Sequence, residues 1–314
     1  MHCSIVNNKA PILVCGYHKI SEPDLGDAFI AAISASKSYD LGINWSMSYT
    51  LQNINELNSS GRFSSTASSL YGGALSALDP ANPVTGRGQE EIENVFKYSF
   101  GWRATPFKEL ETRLELFGDV RAGRPFSWLM NTGSGRSTIT GVNKGGQLAY
   151  IPDLSGTTST STSGAILVSS DSKVAFDSLA TFNSVKTLID TFGLPRGQIV
   201  PRGFNTNDQI HLLDMRLSQE LPGAFAGHKG FLTFDFQNVL NMINEDWGVV
   251  EEYGDQQTLY TTACADTTGA ANNAGTVLCN RYRITNPSTI LTNPKTRNVD
   301  RSRWQIQVGV RYEF

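Results

Sequence analysis

The sequence predicts an all-β chain: a segment of an antiparallel transmembrane β-barrel, about seven strands joined alternately by short turns and long extracellular loops. Three observations carry that prediction. Residues 304–314 alternate without a miss, with Trp304, Ile306, Val308, Val310, Tyr312 and Phe314 on one parity and Gln305, Gln307, Gly309, Arg311 and Glu313 on the other. Successive strand side chains point to opposite faces, so one face is apolar and the other polar or small. The apolar face also keeps its aromatics at the two ends and its aliphatics between them, the sorting expected of a lipid-facing strand with two interfacial girdles. Ten steps of about 3.3 Å, tilted roughly 40°, project to about 25 Å, the height of such an apolar band. Finally, the period of two recurs in upstream hairpins while the connections between hairpins are long. A strand of a soluble sandwich is the competing reading of residues 304–314 taken alone.

Composition permits this architecture and excludes others. Hydrophobic residues make up 39% and charged residues 18%, a low charge and apolar content that suits strands polar on one face and loops rich in Gly, Ser, Thr and Asn. No run approaches the roughly 20 apolar residues of a membrane helix, which excludes an α-helical membrane protein. A net charge of -3 argues against nucleic acid as a partner. Residues 1–27 stand apart: they lack a basic region followed by a sustained apolar stretch, and the start is expected to be truncated or misassigned. Ile12-Leu13-Val14-Cys15 approximates a lipoprotein box, with Val14 bulkier than the small residue required there.

Residues 28–314 carry the barrel pattern. Phe29, Ala31, Ile33 and Ala35 alternate weakly, Tyr39-Asp40-Leu41-Gly42 is a tight turn, and Ile43, Trp45, Met47, Tyr49 and Leu51 alternate strongly, making a first hairpin. A polar loop over residues 53–91 follows, with Asp79-Pro80 and Asn82-Pro83 turn signals and local packing expected of Leu70, Tyr71, Leu75 and Leu78. The second hairpin pairs Phe96, Tyr98, Phe100 and Trp102 with Leu110, Thr112, Leu114, Leu116 and Val120 across a turn at Thr105-Pro106-Phe107; Phe117 breaks the pattern on the polar face. Residues 122–206 are too long for an unstructured connection. Residues 165–168 read as a short strand, and Leu179, Phe182, Val185 and Ile189 sit at helical spacing before Gly193-Leu194-Pro195, forming either a lid over the barrel mouth or a small subdomain. The third hairpin places Leu213, Met215 and Leu217 against Leu232, Phe234 and Phe236, and a loop over residues 244–300 leads to the final strand. An odd strand count calls for further strands upstream before a bacterial barrel closes.

Several stretches then show a family resemblance. Gly123-Arg124-Pro125-Phe126-Ser127-Trp128, Tyr150-Ile151-Pro152-Asp153, Arg216-Leu217-Ser218-Gln219-Glu220-Leu221-Pro222 and Asn238-Val239-Leu240-Asn241-Met242-Ile243-Asn244 with Asp246-Trp247-Gly248 resemble the C-terminal region of TonB-dependent outer-membrane receptors of the Oar-like type. The closing Arg311-Tyr312-Glu313-Phe314 is similar to the C-terminal strand of bacterial outer-membrane barrels, whose terminal aromatic belongs to the insertion signal; Tyr312 and Phe314 take that role here. The resemblance implies a barrel of 22 strands, a plug and a TonB-coupling box in the full-length form, import of a ligand, residence in the bacterial cell outer membrane, and contact with outer-membrane lipid and the barrel assembly machinery. TonB is expected as a partner only of the full-length form, since nothing ahead of Ala28 matches a plug or coupling box. The alternative is a small self-contained outer-membrane barrel or adhesin acting through its loops, which requires Ile12-Leu13-Val14 to pair with the strand of Phe314.

No catalytic constellation emerges, and no enzyme activity, cofactor or metal is expected. Residues 131–138 superficially resemble a phosphate loop but lack the Gly-Lys-Ser/Thr ending. His2, His18, His211 and His228 have no metal-ligand spacing. A secreted hydrolase would instead cluster its inward charges in a cleft. Arg103, Arg113, Glu115, Asp119, Asp214, Arg216, Asp235 and Arg311 are expected to pair across strands on the lumen face. Trp45, Trp102 and Trp304 read as interfacial anchors. Cys264 and Cys279 bracket a loop suited to closure by a disulfide, which needs an oxidising compartment.

Overall fold

The structure, a computed structural model, describes residues 2–5, 12–17, 26–56, 85–107, 109–132, 147–225, 227–271, 280–293 and 295–314. In chain order the first strands are β1 (His2–Ile5), β2 (Ile12–Tyr17), β3 (Gly26–Ser38), β4 (Ile43–Glu56), β5 (Gly86–Arg87), β6 (Asn94–Phe107) and β7 (Leu110–Arg121). A first excursion runs through β8 (Pro125–Asn131), β9 (Gln147–Leu148), β10 (Tyr150–Ile151), β11 (Thr158–Thr160), β12 (Ile166–Val168), β13 (Asp171–Phe176), helix α1 (Leu179–Phe192), β14 (Gln198–Ile199) and β15 (Asn205–Thr206). The hairpin of β16 (Ile210–Pro222) and β17 (Lys229–Gln237) follows. A second excursion holds α2 (Val239–Ile243), β18 (Glu251–Glu252), β19 (Gln256–Ala265), β20 (Arg281–Thr285), β21 (Thr296–Arg297) and α3 (Val299–Ser302), and β22 (Gln305–Glu313) ends it.

The long strands form one antiparallel sheet in the order β1-β2-β3-β4-β6-β7-β16-β17-β22, with β5 beside β4. The hairpin strands expected from alternation are β3, β4, β6, β7, β16, β17 and β22; β1 and β2 extend the sheet from the segment that matched nothing. Directly opposed residues share a face, and the register keeps the apolar parity together across the sheet. One row runs Ile43, Trp102, Leu114, Leu217, Phe234, Val308; another runs Trp45, Phe100, Leu116, Met215, Phe236, Ile306. The first of these rows meets β4 at its first residue but β22 at Val308, with residues 309–313 still to come. Such stagger is what strands tilted to a common axis produce. On the apolar face the Tyr98 ring lies over Gly118, where a Cβ would sit 2.0 Å from the ring.

The tight turns all lie at one end of this sheet and the excursions at the other. The turn of the first hairpin is where it was expected, closed by Gly42 N–H donating to Tyr39 O at 3.0 Å with Gly42 at φ 78°. The second is displaced: β6 runs through Thr105-Pro106 to Phe107 with a register shift after Ala104, and the reversal falls between Phe107 and Leu110. Proline at a strand end costs little, because a bulge removes the need for its missing donor. Leu70, Tyr71, Leu75 and Leu78 and the two Pro turn signals lie outside the described residues. Among the described residues, β2 pairs with β1 and β3 and β22 with β17, so the pairing of β2 with β22 required by a small closed barrel is not formed and the sheet is open.

The excursions build a second body. An eight-stranded mixed sheet runs β11-β12-β13-β20-β19-β8-β15 with β9 beside β8, and two of its joints, β13 with β20 and β19 with β8, are parallel. The hydrophobic core lies here, drawn from residues 126–290, with Trp128, Phe126, Phe176, Leu259, Tyr260 and Ile284 fully buried. Helix α1 begins with the Ser178 hydroxyl accepting from Thr181 N–H at 3.2 Å and ends at Gly193 in the left-handed region. It buries Phe182, Val185, Leu188 and Ile189 against β13 and β19. Of the two readings of this segment, lid or subdomain, the packing matches the subdomain. The stretch over residues 244–300, expected as loop, supplies β19 and β20 at the centre of its sheet.

Candidate functional site

Where the second body meets the rim of the long sheet, side chains rather than strands make the joint. Arg202 is buried at 8% exposure and donates to the carbonyl oxygens of Glu56, Gly86 (2.6 Å) and Arg87 (3.2 Å). Burial lowers its affinity for its proton, and the nearby Glu56 charge opposes that. The Glu91 carboxylate accepts from Ile54 N–H (2.5 Å) and Arg87 Nε (2.6 Å). Asn207 accepts from Tyr253 N–H at 2.6 Å and donates to Arg124 O at 3.0 Å and Tyr253 O at 3.3 Å, tying the start of the first excursion to the second. A void of only about 10 Å³ remains between Arg87, Arg202 and Gln256, room for about one water at most.

Beside this joint the surface opens into a trough of two grooves. One, of about 400 Å³, is lined by Gln257, Thr258, Asn286, Ser288, Thr289 and Asn293 among others. The second, also about 400 Å³, lies between Gln89, Glu90 and Arg124 on the rim side and Asn207, Asp255 and Asn298 on the other. Glu252, Tyr253, Gly254 and Thr296 line both, so the two grooves adjoin along a shared ridge. The ridge is rigid because Tyr253 is anchored in the core: its ring lies 5.5 Å from that of Phe126 and 6.4 Å from that of Phe192, both edge-on. Lys295 Nζ sits 5.2 Å from the centre of the Tyr253 ring and is ion-paired to Asp208. Among the described residues, nothing engages the Glu252 carboxylate or the Tyr253 hydroxyl. The neighbouring cations are paired, Arg124 with Glu90 at 3.3 Å and Arg297 with Glu251 at 2.8 Å.

A second polar cluster lies inside the body. Tyr150 Oη donates to Asp171 Oδ2 at 2.8 Å and receives Lys173 Nζ at 3.2 Å, and Tyr260 Oη donates to Tyr150 O. Burial first, then the Asp171 hydrogen bond, raises the Tyr150 phenol far above its ordinary value, and burial does the same to Tyr260. Phenols held this firmly in their protonated form serve as donors that pin β10 to β13 and β19.

The residues singled out from sequence divide between the two bodies. Trp45 and Trp102 are half-buried on the apolar face, while Trp304 (48% exposed), Tyr312 and Phe314 stand out at opposite ends of β22. Of the eight charges expected to pair across strands, Arg216 does so with its register partner Asp235 (3.1 Å) and Arg103 with Glu111 (3.5 Å); Lys229 with Glu220 (2.7 Å) is a further cross-strand pair outside that set. Arg113 pairs with Glu111 and Arg311 with Glu313 along their own strands, Asp119 approaches Arg121 at 3.7 Å, and Asp214 accepts the Asn238 backbone N–H at 2.8 Å. The Glu115 charge acts on Arg216. His211 and His228, without metal-ligand spacing in the sequence, each meet a tyrosine: Tyr98 Oη at 3.1 Å and Tyr312 Oη at 3.0 Å. Cys264 is disulfide-bonded, while Cys279, His18 and residues 133–138 of the phosphate-loop resemblance lie outside the described residues. Among the described residues no group of three or more His, Cys, Asp or Glu side chains is placed to hold a metal ion. Neither the trough nor its rim was legible in the sequence, because the trough's residues come from five separated stretches with no shared motif. The chain matches no family model, no curated protein and no solved structure.

Proposed function

We propose that the chain forms part of a TonB-dependent, Oar-like outer-membrane receptor: the long sheet is lipid-facing barrel wall, and the excursion body is the ligand-facing element outside the membrane. One observation carries this reading. The long sheet has a continuous apolar face, register-matched from strand to strand, and none of the described residues covers it; Ile33, Met47, Phe100, Ile306, Val308 and Val310 are 37–77% exposed. In water such a surface is unfavourable by roughly 25 cal/mol per Å², and a monomer rarely shows a patch of this extent. In lipid it is the required surface, and the opposite face, with its cross-strand ion pairs, suits a wet interior. An open sheet in hydrocarbon leaves edge N–H and C=O groups unpaired at several kcal/mol each, so the wall is completed by further strands. Import, with TonB engaged through a plug and coupling box, belongs to that completed form; the chain's own part is non-enzymatic.

The test is detergent-dependent folding. The full chain, refolded in detergent and transferred to vesicles of outer-membrane lipid, is expected to migrate as a heat-modifiable β protein and to have Trp45, Trp102 and Trp304 quenched by brominated acyl chains. A monodisperse, natively folded monomer in detergent-free buffer would sink the reading.

A further inference from the structure

We propose that the trough beside the Glu252–Gly254 ridge binds an oligosaccharide, a neutral chain of several sugar units lying across the ridge from one groove to the other. The proposal names a ligand class for the excursion body and rests on the reading above only for placing that body at the cell surface. Each groove, at about 400 Å³, is by itself within the range of ligand sites, and their shared ridge lets one extended ligand occupy both. The lining of the first groove departs from an ordinary drug-like pocket, being dominated by amide and hydroxyl side chains such as Gln257, Asn286, Asn293 and Thr289, while the second is evenly divided between polar and apolar surface. Side-chain amides offer one acceptor and two donors in a plane, and a sugar hydroxyl is donor and acceptor at once, so the two chemistries match bond for bond.

Charge narrows the class further. The cations near the ridge are committed to Glu90, Glu251 and Asp208, leaving none among the described residues free for a phosphate or carboxylate ligand, while the Glu252 carboxylate faces the trough unpaired and repels an anion. An unengaged carboxylate beside an unengaged phenol supplies strong acceptors for ligand hydroxyls, and hydrogen bonds to a charged acceptor are about twice as strong as neutral ones.

The experiment uses the full chain in detergent, its fold checked by near-UV circular dichroism. It is titrated with hexasaccharides of α-1,4-glucan, β-1,4-glucan, β-1,4-xylan, α-mannan and chitin, and with acidic, basic and neutral hexapeptides. Binding of at least one hexasaccharide is expected, weakened tenfold or more by Glu252→Ala and measurably by Tyr253→Phe, which keeps the ring in the core and removes only its hydroxyl. Glu251→Ala, whose side chain is committed to Arg297, should leave the affinity unchanged. No saccharide binding by the natively folded chain, binding indifferent to both ridge variants, or a preference for a peptide would each overturn the proposal. Vesicle insertion is scored separately on the same preparation, so failure of the membrane reading and failure of the sugar site are distinguished.

Discussion

The long sheet and the excursion body are made from one chain by opposite rules. In β22 every second residue is apolar and all of those stay exposed, from Trp304 to Phe314. In β8 six consecutive residues, Pro125 to Met130, are buried, because this strand is covered on both faces. The body carries the core cluster, and the long sheet contributes none of its members. The contrast teaches that alternation and burial are separate properties: alternation reports that a strand's two faces meet different surroundings, and burial reports whether one of them is the protein itself.

Breaking the body should cost most. Trp128 is fully buried, packs 4.7 Å from the Phe192 ring and donates to Asn205 Oδ1 at 2.7 Å. Trp128→Ala is expected to destabilise the body by about 3–5 kcal/mol. In urea titrations, near-UV dichroism should be lost earlier while far-UV strand signal persists; two signals that shift together would show one cooperative unit instead. A sharper test compares neighbours on one strand. Val308→Arg on the apolar face is expected to oppose folding into vesicles by about 2–4 kcal/mol, whereas Gln307→Arg on the other face should change it little. Equal effects would remove the distinction between the faces. The smallest effect concerns acid. Asp266 is held below its ordinary value of 3.8, first by the Thr268 hydroxyl and then by loop N–H groups, and Asp190 is lowered chiefly by Lys186. A depressed folded-state value means the contribution is present above the ordinary carboxylate range and is lost as pH falls through the folded value. The thermal midpoint of the body should therefore drop modestly below about pH 4, and Asp266→Asn combined with Asp190→Asn should flatten that drop.

This contrast also explains what was legible in the sequence. The hairpins of the long sheet were, because each strand separates two environments and writes a period of two. Helix α1 was legible through its spacing and its Ser178 and Gly193 ends. Strand β8 was visible only as part of a motif, since six buried residues in succession carry no period. Strand β19, Gln256–Ala265, mixes threonines with buried Leu259 and Tyr260 and looked like loop. The motif at Asn238 now has a cause: in a left-handed conformation (φ 52°) it caps α2 and donates to Gly248 O (2.8 Å) and Arg301 O (3.2 Å), fastening both ends of the second excursion. The trough was hidden because pairing between distant stretches creates it.

The parallel joint between β8 and β19 also has a meaning in time. Met130 Sδ and Tyr260 Oη meet at 3.9 Å across 130 positions of sequence, so β8 lacks its parallel neighbour, and Phe126 its contact with Tyr253, until synthesis has reached the second excursion. Contacts of such separation form late. A polypeptide halted before β18 therefore has Phe126 and Trp128 packed on Phe192 but lacking Tyr253 and β19, a half-built core by which quality-control proteases can tell unfinished copies from finished ones.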